Sequence, residues 1–392
     1  MAVRTGAVVA ILALVAVGMG VGAPAAAGGA QREQHPEPPL PPANPLADNA
    51  LRPRIIPPTP SAYEAMPKES LTAWVAKVNG DAIVRGFFTR RVAANRAAAY
   101  RHFADKTGAT PGAEFWTTDY GGETPVKWLT QRALDECMRI QVELGLAKRH
   151  GIVPDTSYAA FLKALDRENE RRRAALARGE PIYGPQQYRE DDFLVYVMNN
   201  LRLALQRQLA GNELKASEAA LREYYQSVKE QHFDRGYRVK VWAIEVIAGA
   251  REGYAKSYTP EEARARIEEA KRKLEAGERF EAVAATYNEN GELHERVFDF
   301  ESRSADKMQA AMRDEAMRLE EGQTSGIFQE MNALYVLKCI EKEPLGYRTF
   351  AEAQDLVTRM HLRQSYERLV DRLVKSATIK MNRAELDRVE VR

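Results

Sequence analysis

The chain is poor in the residues that would announce a chemistry. Two Cys in 392 residues exclude a disulfide-stapled scaffold and a four-cysteine zinc site. Six His, widely scattered, form no His-rich metal cluster, so no metal is expected. His294-Glu295 has no second His at the spacing of a zinc-protease helix. Neither sign of charge dominates, with 57 Lys and Arg against 55 Asp and Glu. A net charge of +2 gives no electrostatic case for nucleic acid, which wants a strong basic excess. A mean hydropathy of −0.47 excludes a polytopic membrane protein. No Gly-x-Ser-x-Gly elbow and no phosphate-binding loop occur. Gly18-Met19-Gly20-Val21-Gly22 partly imitates a dinucleotide fingerprint, but it lies in an apolar leader and Pro24 follows. No cofactor is therefore expected.

Proline is scarce where it matters. Twelve of the 19 Pro fall in the first 67 residues, which leaves a body with few helix breakers. Residues 1–27 read as a signal peptide: Arg4, an uncharged apolar stretch from Ala7 to Gly22, then Ala25-Ala26-Ala27. The alternative is an uncleaved anchor, and a membrane partner is expected only in that case. The Gly, Ala and Pro content of its second half favours cleavage. Residues 28–67 form a Pro-rich linker of polyproline II character.

The remainder is 45% hydrophobic taken over the whole chain, enough for real cores. Residues 73–79 alternate and meet an Asn-Gly pair before residues 82–84, the pattern of a small hairpin. Helical spacing follows over 126–150, 156–179 and 191–211. The run Arg171-Arg172-Arg173 reads as a solvated helix face, because Glu168 and Glu170 lie beside it. Ser217 caps the next helix. The period then changes to two over 238–247. Thr259-Pro260-Glu261-Glu262 opens a helix with a capping box and Gly277 stops it. A short helix around Phe280 follows, then extended runs at 296–300 and 333–340. Thr349 and Glu352 box a long final helix, and 377–381 alternates like a strand that can pair with 73–79. Cys137 and Cys339 sit at apolar-periodic positions and are expected as buried free thiols.

Six segments in this order resemble the SurA/PrsA/PpiC group of exported foldases, which carry a parvulin-type peptidyl-prolyl isomerase domain. "VAKVNGDAIVRGFF", "LAKRHGIVPD" and "ASEAALREYYQSVKEQHF" are similar to its opening helical part. "EEARARIEEAKRKLEAGERFEAVAATY" and "EAMRLEEGQTSGIF" are similar to its isomerase domain, and "TIKMN" to its C-terminal return. The resemblance implies an α+β fold. A mostly helical SurA-N-like domain, built from N-terminal helices plus a C-terminal helix and strand, would enclose a parvulin-like α/β domain. The implied divisions are 68–235 for the helical domain, 236–346 for the isomerase domain and 347–392 for the returning helix and strand.

The resemblance also implies a pocket for an X–Pro segment, with two His, a Cys or Asp, and a Ser or Thr as its polar set. This chain departs from that set. Ala243 and Tyr335 stand at the two His positions, Asn290 at the Cys/Asp position and Asn332 at the Ser/Thr position. Glu245 ends a segment that reads His-Ile-Leu in the family, and Gly291-Glu292-Leu293-His294 replaces its Gly-Asp-Leu-Gly. Tyr335, Asn290 and Asn332 are the candidate catalytic residues. Met308, Met312 and either Phe298 or Phe300 are the candidate substrate-binding residues, and Met312 reads equally well as core at helical spacing. The expected function is an exported chaperone or foldase of the periplasm or cell envelope. It would bind unfolded or proline-containing polypeptides and keep weak isomerase activity. The alternatives are an active isomerase and a non-catalytic interaction module of the envelope.

Overall fold

The structure is a computed structural model that describes residues 60–249, 258–301 and 309–389. The expected signal peptide, most of the Pro-rich segment and Met308 lie outside the described residues. The chain divides into two compact units. One comprises residues 1–215 and 362–392, the other Ala216–His361.

The first unit opens where the Pro-rich segment was expected to continue. Residues 60–67 are folded: α1, Ala62–Ala65, is capped by Ser61, and α2 spans Lys68–Thr72. Asp166 holds α1 in place by accepting from Ser61 Oγ at 2.7 Å and from the Ala62 N–H at 2.7 Å. The Tyr63 N–H donates the third hydrogen bond to this carboxylate at 3.1 Å, and these three contacts, with Tyr63 and Met66 packed on the core, outweigh the extended preference of the surrounding prolines.

The expected hairpin follows as β1, Trp74–Val78, and β2, Asp81–Val84. Its turn places Asn79 and Gly80 at φ 52° and 94°, the left-handed pair that an Asn-Gly turn supplies at least cost. Strand β7, Ile379–Met381, pairs antiparallel with β1 on its other edge, so the C-terminal strand does return to 73–79. Helices α3, Arg85–Thr107, α4, Pro125–Arg149, α5, Tyr158–Ala177, and α6, Glu190–Ala210, complete the unit. At Gly86 a Cβ would lie 2.9 Å from the Ser70 carbonyl oxygen, so only glycine lets α3 pass α2 this closely. Val75, Phe88, Leu129, Leu162 and Leu205 centre the core.

The basic run on α5 divides rather than forming one solvated face. Arg172 is only 5% exposed. It donates to Glu168 at 2.8 Å and to the carbonyls of Tyr183 and Pro185, and its guanidinium lies 4.3 Å from the Tyr188 ring centre. The loop after α5 folds back over Arg172, which one-dimensional charge spacing cannot report.

In the second unit, α7, Glu218–His232, carries the expected Ser217 cap. The strands are β3, Tyr237–Ile247, β4, His294–Phe298, β5, Phe328–Glu330, and β6, Ala333–Pro344, in the antiparallel order β4-β3-β6-β5. Helix α8, Pro260–Glu275, has the complete Thr259–Glu262 capping box, and α9, Phe280–Tyr287, follows it. These two helices cover one sheet face, burying Ile244, Val246 and Val336 with Ile267 and Phe280. Helix α10, Ala310–Arg318, covers the other, burying Val241, Ala243 and Leu337 with Met312 and Ala316. Helix α11, Phe350–Lys375, begins in this unit, where Phe350 and Val357 pack with Tyr225 of α7. Both Thr349–Glu352 capping contacts form. A last turn, α12, spans Arg383–Leu386.

Candidate functional site

The site is built on the α10 face of the second sheet. Side chains alternate along a strand, so β3 sends Val239, Val241, Ala243 and Glu245 to that face. Directly across, β6 places Leu337 opposite Ala243 and Tyr335 opposite Glu245. On the other edge β4 places His294 opposite Ala243, and Phe298 opposite Val239. The two positions that resemble the family's His pair are thus brought to one face, as Ala243 and Tyr335.

Three polar side chains converge there. The Tyr335 hydroxyl donates to Glu245 Oε1 at 2.8 Å. His294 Nδ1 lies 3.3 Å from Glu245 Oε2. That approach has ion-pair distance but not hydrogen-bond alignment, and Nδ1 is buried with no other partner among the described residues. The Glu245 side chain is 7% exposed and that of His294 is 21% exposed. The Tyr335 ring stacks on Phe328, with centres 5.7 Å apart.

Asn288 fixes this arrangement. The β3–β4 ladder ends at the Ala243–His294 pair. Beyond it the edge of β3 would present unpaired backbone groups, which are costly when buried. Buried Asn288 supplies the missing partners: its Oδ1 accepts from the Glu245 N–H at 2.9 Å, and its Nδ2 donates to the carbonyls of Ala243 and Glu292 at 3.1 and 2.7 Å. Ser325, the serine of the "EEGQTSGIF" stretch, plays a similar part on the opposite side, accepting from the Leu337 N–H at 2.8 Å.

The expected site residues separate in space. Tyr335, Phe298 and Met312 belong to one apolar cluster on this face. Phe298 is 1% exposed and Met312 is 4% exposed, so both build the wall and floor, whereas Phe300 is 41% exposed. Asn290 is exposed just past α9. Asn332 is exposed in the β5–β6 turn, where its Nδ2 is 3.4 Å from the Ala248 carbonyl. Met308 lies outside the described residues. Cys339 is buried in the same apolar cluster, and that burial pushes its thiol upward, away from the thiolate form. Both cysteines are free and buried. Glu245, Asn288 and His294 are the polar members that spacing along the sequence does not reveal. The available signal is that Glu245 interrupts an apolar strand and that His294 replaces a family glycine.

Residues 216–355 match the family model described as the PPIC-type PPIASE domain. Over these residues the chain is similar to a PPIC-type PPIase domain. Its start coincides with that of the second unit, at Ala216. Among curated proteins the chain is similar to the chaperone for lacto-N-biosidase of Bifidobacterium longum subsp. longum, at 27% identity over 149 residues. The match covers 38% of this chain and 53% of that protein, so the chain spans about half the length of its curated relative. Among solved structures it is similar to a SurA-like chaperone from the pair PEB4 and Cj1289 of Campylobacter jejuni. There the identity is 11%, the coverage 79% of this chain and 100% of that one, and the TM-score 0.28. It is also similar to PrsA from Bacillus subtilis, at 16% identity, 71% and 94% coverage and a TM-score of 0.20. The sequence match over 216–355 is what assigns the PPIase-type domain.

Proposed function

We propose that this chain is an exported foldase of the SurA/PrsA type. It holds unfolded polypeptides, and its PPIase-type domain engages X–Pro segments with weak isomerase activity. A domain of this class lowers the barrier to rotation about X–Pro bonds, which interconvert in tens to hundreds of seconds unaided. That task needs an apolar seat for the proline ring and a few polar groups for the twisted amide, with no covalent step. The carrying observation is the face that joins Ala243, Phe298, Met312 and Leu337 to Tyr335. Buried apolar side chains underlie that face, which supports the apolar half of the task, while the two positions that resemble the family's His pair carry a methyl group and a phenol already bound to Glu245.

The helical unit supports the chaperone half of the reading. It contains a mostly apolar cavity of about 190 Å³, lined by Phe87, Ile140, Leu144, Phe161, Phe193 and Met198. A flexible Met beside rigid aromatic rings suits side chains of varied shape. In this reading residues 1–27 direct export, residues 28–59 are the spacer, and the clients are polypeptides of the cell envelope. The similarity to a protein named a chaperone for lacto-N-biosidase also favours the chaperone reading.

Two assays test the proposal. The chain at stoichiometric amounts should suppress aggregation of a denatured client. In a protease-coupled assay on an X–Pro peptide it should accelerate exchange only slightly. Absence of any aggregation suppression, with the protein folded by circular dichroism, would falsify the chaperone reading. Rapid turnover would replace weak activity with an active isomerase.

A further inference from the structure

We infer that His294 supplies, from the neighbouring strand, the imidazole that position 243 lacks, and that Glu245 is the residue that positions it. This rests on the reading of the α10 face as a site for X–Pro segments.

Three departures from the family pattern fall on one face: alanine at 243, glutamate at 245 and histidine at 294. They lie far apart in sequence, yet register makes them neighbours. Ala243 and His294 are directly opposed in an antiparallel pair. Opposed residues send their side chains to the same face, with Cβ atoms about 5 Å apart. The alternation is visible at the start of β4, where Leu293, just before the strand, packs with the α8–α9 cluster and Phe298 with the α10 cluster. An imidazole at 294 therefore rises from the same face as one at 243 would, displaced by about one strand spacing of ~4.8 Å.

Glu245 determines how that ring is held. It stands two residues along β3 from Ala243, on the same face, and its Oε2 lies 3.3 Å from His294 Nδ1. The other carboxylate oxygen accepts from Tyr335, so the carboxylate is fixed on both sides. Nδ1 is buried against Glu245 while the His294 side chain keeps 21% of its surface exposed. The edge left for a polypeptide is the Nε2 edge. Asn288 locks the geometry by tying the Glu245 N–H and the Ala243 and Glu292 carbonyls into one unit. It thereby holds the strand that bears the carboxylate and the loop that delivers the imidazole.

The test uses the full chain with 13C-labelled histidine and a short Ala-Pro-containing peptide as probe. The chain has six His, so the His294 ring signal is assigned by its loss in His294→Gln. Peptide addition should move that signal. His294→Gln should weaken peptide binding by roughly three- to tenfold, the worth of one hydrogen bond. Glu245→Gln should change the His294 ring signal before any peptide is added, should weaken binding less than His294→Gln, and should weaken it no further in the His294→Gln background, a dependence on the imidazole that a purely structural role would not produce. Returning the imidazole to its family position, in Ala243→His with His294→Gly, should recover at least half of the lost affinity. Saturable binding that leaves the His294 signal unmoved, with equal affinity in both single variants, overturns the inference and leaves the polypeptide reading intact. No binding by the folded parent chain overturns both. If His294→Gln fails to fold, the His294 signal is assigned instead as the ring signal that Glu245→Gln moves in the peptide-free chain, and its response to peptide decides the matter.

Discussion

Each unit buries a glutamate beneath a tyrosine. In the helical unit Glu143 is fully buried. It accepts from Tyr366 at 2.8 Å and from Arg202 through Nε and Nη2, both at 2.8 Å. In the PPIase-type unit Glu245 accepts from Tyr335 at 2.8 Å, and its second neighbour, His294, approaches at 3.3 Å without alignment. A bidentate guanidinium fills a carboxylate's acceptor sites and neutralises its charge in one fixed geometry. Such a group has nothing left to offer a ligand. The imidazole beside Glu245 stands at ion-pair distance and keeps 21% of its side chain exposed. Similar carboxylate–phenol pairs therefore serve different ends, according to the third partner.

The largest effect should come from breaking the complete pair. Arg202→Met leaves Glu143 buried with only Tyr366 and should destabilise the helical unit by about 3–5 kcal/mol, read from urea unfolding. The corresponding removal in the other unit, His294→Gln, should cost far less stability; a comparable loss would erase the distinction between the two sites. Asn288→Ala should come next. It strands the Glu245 N–H and the Ala243 and Glu292 carbonyls, at about 1–3 kcal/mol for each group that water does not reach. It should also abolish peptide binding if the geometry of the polar set matters.

Alkaline pH acts on the helical unit at a smaller scale. Burial, and then the adjacent Glu143 charge, hold the Tyr366 phenol well above its ordinary range. Its stabilising contribution is complete below the unfolded phenol value of about 10. As pH rises past that value the unfolded chain ionises and the folded one does not. Stability then falls by about 1.4 kcal/mol per pH unit for this group until the folded phenol ionises. In Tyr366→Phe that part of the slope should vanish from a pH series of unfolding midpoints; an unchanged slope would assign the effect to other tyrosines. Tyr158, raised by burial and then by Glu190, adds a second such slope in the same unit. The smallest effect should be that of Thr259→Ala, which removes the capping box of α8. It should cost about 1 kcal/mol of stability in the PPIase-type unit without altering peptide affinity.

Much of this fold is legible in the sequence because the signals are local. Ser217, Thr259 and Thr349 mark helix starts through hydrogen bonds that span three residues. Asn79-Gly80 marks a turn through its own dihedral angles. The alternation in 238–247 marks a strand that the structure extends by a single residue, to Tyr237. The short strand at Phe328–Glu330 is not marked, since three residues show no period. The burial of Arg172 is not marked either, because the groups that cover it come from a loop 11 to 16 residues away.

The candidate site divides the same way. Tyr335 is placed by its motif, whereas the sequence leaves Phe298 open against Phe300 and Met312 open as core; the structure puts Tyr335, Phe298 and Met312 in one cluster. Asn290 and Asn332 are equally well placed by local spacing, yet both end on exposed turns. His294 and Glu245 become a pair only through the register of β3 against β4. A shift of one residue would send one of them to the opposite face.

By itself, the sequence determined the order of elements, their caps and turns, and the match of residues 216–355 to the PPIC-type PPIase domain. Those properties reside in neighbouring residues and in side-chain type. The tertiary structure alone decided which charges are buried and completed, as with Glu143 and Arg172. It also decided that His294 of β4 approaches Glu245 of β3. Burial and cross-strand register depend on residues distant in the chain, and no local pattern encodes them.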